Sequence, residues 1–219
     1  MTSRPKHAEP RPQPRLYLLT PPIAEAQTFI APLAAMLAAG DVAAVLLRLA
    51  PSDERTLINR IKALAPVVQD AGAALVLDGH AGLVARAGAD GAHLSGTGDF
   101  TNALDALKPD RIAGCGGLHT RHDAMLAAER GADYVMFGEP DTAGRRPGLA
   151  ATEERVAWWA EVFEAPCVGY AGSLDEVAPL VAAGADFVAP GDFIWSDPSK
   201  AATTVAEAMR LMRLPERTA

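Results

Sequence analysis

Cysteine is scarce in this chain of 219 residues, with only Cys115 and Cys167. Both fall inside predicted strands rather than in a spaced framework, which excludes a disulfide scaffold and points to reduced, buried thiols and a cytoplasmic compartment. Neither reads as a metal ligand or a nucleophile. Long apolar runs are missing too: none approaches the roughly 18 residues that a membrane span needs, so no membrane partner is expected. There is no excess of positive charge; a net charge of −7 argues against a nucleic-acid surface. No Gly-x-Gly-x-x-Gly follows the first predicted strand, which counts against an open dinucleotide-binding sheet. Residues Met1 to Arg15 are basic and Pro-rich with no apolar segment, neither a signal peptide nor a foldable element, and read as a disordered tail.

What the chain does have is 49% hydrophobic residues and a recurring joint. Arg-Gly-Ala-Asp-Tyr-Val-Met-Phe-Gly-Glu, at Arg130 to Glu139, joins an amphipathic helix over Thr120 to Arg130, through Gly131, to a short apolar strand over Tyr134 to Phe137. The joint returns as Ala-Gly-Ala-Asp at Ala87 to Asp90 and Ala183 to Asp186, with a blurred copy at Ala71 to Ala74. A repeated helix-to-strand joint means repeated βα units.

Taken in order, strands are expected at Leu16–Leu19, Val42–Leu47, Ala74–Leu77, Ala92–Leu94, Arg111–Cys115, Tyr134–Phe137, Cys167–Tyr170 and Phe187–Ala189. Helices alternate with them. The first runs over Ala24–Ala39, the second starts at Ser52 to Glu54 with a kink expected at Pro66, and the fourth runs over Thr101–Leu107. The sixth starts at Thr152, the seventh at a Ser173/Glu176 capping box, and the last at Asp197-Pro198, running through Met212. About eight βα units close a parallel barrel, so the expected fold is a single-domain α/β (β/α)₈ TIM barrel over residues 16–214.

In such a barrel the chemistry lies on the loops after the strands' carboxyl ends. Asp78 and Asp99 follow neighbouring strands and could share a divalent cation such as Mg²⁺, or could each be a helix N-cap. Arg48, straight after an apolar strand, is an anion ligand or half of a structural ion pair. Gly172 and Gly191 stand where barrels hold a phosphate on backbone N–H groups, with Asp192 beside them as a like charge. The loop from Glu139 to Ala150, carrying Arg145 and Arg146, is a candidate lid. His119 and His122 lack a third metal ligand and read as a solvated first turn; His93 reads as a hydrogen-bonded core residue.

Leu-Leu-Arg at 46–48, Val-Leu-Asp at 76–78, Gly-Ala-His-Leu at 91–94, Gly-Ala-Asp-Tyr-Val-Met-Phe-Gly at 131–138 and Ala-Gly-Ser at 171–173 together resemble the thiamine phosphate synthase and TenI family, over about residues 16 to 194. The resemblance implies a (β/α)₈ barrel and the magnesium-dependent joining of hydroxymethylpyrimidine pyrophosphate to a thiazole phosphate, with release of pyrophosphate. It also implies roles. Arg48 keeps the arginine of the family's Gln-Leu-Arg-x-Lys, whose glutamine and lysine fall on Leu46 and Ala50. Asp78 keeps the aspartate of Asn-Asp, and Asp99 meets the second metal aspartate after a one-residue shift. The serine after strand five falls near Gly116. The Thr-x-Thr-Lys loop shortens to Asp141–Arg145, with Arg145 or Arg146 in place of its lysine. Gly172 matches a phosphate-binding glycine, and the serine after strand eight falls on Asp192. These departures weaken the phosphate site and keep two other readings open: a TenI-like thiazole phosphate isomerase with Glu139 as base or acid, and a non-catalytic ligand-binding barrel. The partners expected are a small phosphorylated molecule and, as an open option, a second copy of the chain in a homodimer.

Overall fold

A computed structural model describes residues 12–213. Eight parallel strands pair in sequence order, and β8 returns to β1 to close the barrel. They are β1 (Arg15–Leu19), β2 (Val42–Leu47), β3 (Ala74–Asp78), β4 (Gly91–Ser95), β5 (Ile112–Gly116), β6 (Tyr134–Phe137), β7 (Cys167–Ala171) and β8 (Phe187–Pro190). Between and after them run α1 (Ala26–Ala38), α2 (Glu54–Gln69), α3 (Val84–Ala87), α4 (Thr97–Leu107), α5 (Arg121–Glu129), α6 (Leu149–Val162), α7 (Val177–Ala183) and α8 (Ala201–Met212). None of these helices is long and apolar enough to cross a membrane.

Each strand is apolar on both faces because both are covered. Outward side chains such as Leu18, Val45, Leu47, Leu75 and Phe137 share one core with Leu33, Met36, Ile61, Leu64 and Trp159 of the helices. Inward side chains form a second cluster that includes Tyr17, Leu46, Val76, Tyr134, Met136 and Tyr170. Gly114 on β5 makes room for it, since a Cβ there would overlap the Tyr134 ring.

The recurring joint has a structural reason. Gly88, Gly131 and Gly184 all take positive φ, which ends a helix at little cost for glycine. The aspartate two residues on then accepts an N–H from the first or second residue of the preceding strand: Asp90 from Leu75 at 2.7 Å, Asp133 from Ala113 at 2.7 Å and Asp186 from Cys167 at 2.8 Å. The blurred copy keeps the glycine turn at Gly72 but has Ala74 in the aspartate's place.

Several boundaries differ from the sequence expectation. Arg15 belongs to β1, paired with Asp41 at 2.7 Å, and not to a tail; residues 1–11 of that tail lie outside the described residues. α4 starts at Thr97 rather than Thr101, because Gly96 at φ +84 turns the chain early. α6 starts at Leu149, and its Thr152 is a buried interior residue bonded to the Gly148 carbonyl. α8 starts at Ala201, while Asp197 holds the Ser199 N–H at 3.1 Å in the turn before it. α2 keeps its expected start, with Asp53 as N-cap, and carries Pro66 inside it. Ser173 makes no side-chain capping bond, and the Glu176 carboxylate that would complete the box is engaged elsewhere.

Candidate functional site

Arg48, Asp78, Asp99, Glu139, Arg145, Arg146, Gly172, Gly191 and Asp192 all follow or end strands at the carboxyl end of the barrel. The parallel register dictates this, so residues 144 positions apart in the chain meet there.

On the β1, β2 and β8 side, the Arg48 guanidinium donates to the Thr20 carbonyl and to Asp192. Its own N–H is held by the buried Thr20 hydroxyl at 3.0 Å. Asp192 thus faces a cation instead of standing alone beside the anion site, and it does not cap the turn towards Asp197. Tyr170 reaches the same corner: its ring lies where a Cβ on Gly191 would be, and burial, with the negative charge of Asp192, raises the pKa of its hydroxyl. The Gly191 N–H is bonded to the Ala171 carbonyl at 2.8 Å.

Asp78 ends β3, and Asp99 lies in the first turn of α4. Neither is an N-cap, since those positions belong to His80 and Gly96. The Asp78 oxygens reach solvent, yet the concave mouth surrounds them with protein. Burial therefore raises its pKa, against the charges of Arg48 and His80. No group of three or more His, Cys, Asp or Glu side chains fit to hold a metal exists among the described residues, His119 and His122 included.

On the β5 and β6 side, the half-buried Glu139 accepts the Gly117 N–H at 2.5 Å. A side chain at Gly116 would overlap both the Glu139 carboxyl and His93 Nε2, so this glycine creates the space in which the two face each other. Burial pushes the Glu139 carboxyl up to about 7, opposed by the Gly117 N–H, its own N–H and the charge of Arg155. His93 is buried, as a core histidine should be; its Nδ1 lies 3.0 Å from the Tyr134 hydroxyl, which is 2.6 Å from that of Tyr17. Burial lowers its pKa to about 4. Cys115 is likewise inert, its thiol pushed up to about 12 chiefly by burial.

Glu139, His119, Arg145, Arg146 and Arg155 share the lining of a cavity of about 260 Å³. Arg145 is held within its own loop by Asp141 at 2.9 Å. Arg146 crosses to Glu176, with Nη1 to Oε1 at 3.0 Å and Nη2 to Oε2 at 2.5 Å, and stacks over Tyr170 at 5.6 Å. Glu176 Oε2 also accepts the Gly172 N–H at 2.7 Å. Burial works to raise the Glu176 carboxyl, but the bonds from Arg146 and Gly172 and the arginine's charge outweigh it and hold the pKa below the ordinary range. The sequence spacing predicts Glu176 only as part of a cap. The available signal was its place four residues after Gly172, in reach of an arginine-bearing loop.

The sequence model of the family described as thiamine monophosphate synthase matches residues 16–192. The thiamine-phosphate synthase of Rhodospirillum centenum is 42% identical over 203 residues, which is 91% of this chain and 98% of that one. That of Hyphomonas neptunium is 38% identical over 198 residues, 86% of this chain and 89% of that one. Among solved structures, a thiamine phosphate pyrophosphorylase from Pyrococcus furiosus superposes with a TM-score of 0.74 at 20% identity, over 91% of this chain and 96% of that one. The 3-hexulose-6-phosphate synthase of Salmonella typhimurium reaches 0.67 at 20%, over 91% and 100%. At such identity the structural likeness shows the barrel alone.

Proposed function

The chain belongs to the thiamine monophosphate synthase family, and from that premise we propose that it is a transferase joining hydroxymethylpyrimidine pyrophosphate to thiazole phosphate, with release of pyrophosphate. In this reaction the bond from the pyrimidine methylene to the diphosphate oxygen breaks, and a bond from that carbon to the thiazole nitrogen forms. Negative charge grows on the leaving diphosphate, so the chain's task is to hold that charge in place. The observation that carries the reading is the match along nearly the whole length of named synthases, together with guanidinium groups and carboxylates brought to one barrel mouth.

Within it, Arg48 and Arg146 are the cations for phosphate oxygens, Gly172 and Gly191 shape the phosphate end, and Arg145 and Asp192 set the charge around them. Magnesium usually takes one or two carboxylates, with water and substrate phosphates completing its shell. Two carboxylates from neighbouring strand ends, one of them disfavoured by burial, fit that mode better than an all-protein cage. Asp78 and Asp99 would hold the ion, which when bound supplies positive charge to the leaving group.

A second reading rests on Glu139. A half-buried carboxyl with a pKa near 7 in a cavity lined by arginines is suited to proton transfer, as an isomerase of thiazole phosphate would require. Phosphorus and proton NMR of the protein with both substrates and magnesium separates the two. Thiamine phosphate appearing with equimolar pyrophosphate supports the synthase. Conversion of thiazole phosphate alone into its isomer, lost in Glu139→Gln, supports the other. Inertness in both would leave a ligand-binding barrel.

A further inference from the structure

The loop over 139–148 is tied to the rest of the molecule at few points. Among the described residues, the hydrogen bonds that leave the loop between Pro140 and Pro147 come from Arg146 alone, to the Gly138 carbonyl at 3.3 Å and to both oxygens of Glu176. Asp141 spends its side chain inside the loop, on Ala143 and Arg145. The partner of Arg146 is equally particular. Glu176 presents two oxygens to the planar guanidinium while Oε2 also receives the Gly172 N–H, an arrangement that two oxygens of a phosphate would reproduce. Its side chain caps no helix, so swinging out towards solvent breaks no bond but these three.

We propose that Glu176 is the resting occupant of the anion site at the barrel mouth, and that a substrate phosphate enters by taking the Gly172 N–H and Arg146 from it. The 139–148 loop is then latched by a carboxylate when the protein is empty and by the ligand when it is loaded. The exchange swaps a single negative charge for a phosphate that carries nearly two, so a strong phosphate ligand wins where a weak anion does not. The inference rests on Arg146 and Gly172 being phosphate ligands, as the synthase reading has them.

The test titrates inorganic phosphate into the full-length protein at pH 8 by calorimetry, with hydrogen exchange of the loop amides followed in parallel. Wild type, Glu176→Gln and Arg146→Met are compared after each has been shown to unfold cooperatively. Glu176→Gln is expected to bind phosphate at least tenfold more tightly than wild type. Its loop amides should exchange faster without phosphate and regain wild-type protection with it. Arg146→Met should lose phosphate binding. Unchanged or weaker phosphate binding by Glu176→Gln, or loop protection indifferent to phosphate, overturns the latch, and no phosphate binding by any of the three proteins overturns the anion site itself. A wild type that forms thiamine phosphate while Glu176→Gln binds phosphate no better removes the latch and leaves the synthase reading standing.

Discussion

Glu139 shows what folding does to a single ionisable group. Its carboxyl goes from the ordinary 4.5 in the unfolded chain to about 7 in the barrel, chiefly through burial. The folded protein therefore holds this proton more tightly. The stability the group contributes is full below pH 4.5 and is lost as pH rises through about 7. Buried His93 runs the other way: its pKa falls from 6.5 to about 4, so its contribution is lost as the pH drops through that window. Wild-type stability mixes the two, and the difference between wild type and Glu139→Gln isolates the first. Thermal melts from pH 4 to 8 should show wild type losing stability relative to the variant as pH rises, by on the order of 1–2 kcal/mol once the half-exposed setting is discounted. A constant difference across that range would mean that folding leaves the pKa of Glu139 where it is in the unfolded chain. Asp192 gives a second prediction at this scale. Its carboxylate is paired with Arg48 and keeps that guanidinium from a ligand. Asp192→Ser should free it and tighten thiamine phosphate binding about tenfold, on the order of 1.4 kcal/mol, as read by calorimetry. No gain would mean that Asp192 serves to aim Arg48.

The repeated glycine and aspartate joint is the element on which the barrel is counted. Its periodicity was legible because helix, glycine turn and apolar strand each leave a sequence mark. What the aspartate does was not legible, because its partner is the N–H of the preceding strand, 15 to 20 residues earlier. Asp186 makes this bond without the ion pair to lysine that Asp133 also makes, so Asp186→Ala tests the joint by itself. It leaves the Cys167 N–H without that acceptor, at a cost of about 1–2 kcal/mol, which lowers the unfolding midpoint by roughly 2–8 °C. An unshifted midpoint would show that solvent replaces the carboxylate. Helix starts were the least readable boundaries, for a related reason. Thr152 looks like a cap but is buried three residues into α6, and Ser173 with Glu176 has the spacing of a capping box although Arg146 takes the glutamate. Local spacing fixes a cap only where no distant side chain competes.

At the scale of the whole molecule, closing the barrel turns strand ends into a site. Which residues stand at the mouth was readable from strand positions alone, and Arg48, Asp78, Glu139 and Asp192 are all found there. How they pair was not readable. The contacts of Arg48 with Asp192 and of Arg146 with Glu176 join residues 144 and 30 positions apart, and depend on side-chain reach, the first over the end of β1 from β2 to β8 and the second between the ends of neighbouring β6 and β7. On the proposed reading, Arg48 and Arg146 hold Asp192 and Glu176 until a phosphate competes for them, so these two carboxylates need not repel an anionic substrate. If the protein is a magnesium-dependent synthase, Asp78 is needed for turnover far more than for folding. The most direct measurement is pyrophosphate release at saturating pyrimidine pyrophosphate and thiazole phosphate, with and without magnesium, in wild type and in Asp78→Asn. Release matched by thiamine phosphate is expected in wild type, abolished by chelation and reduced at least a hundredfold in the variant, about 2.7 kcal/mol of transition-state stabilisation. Release that ignores both magnesium and Asp78, or no release from a folded wild type that binds both substrates, would contradict the synthase reading.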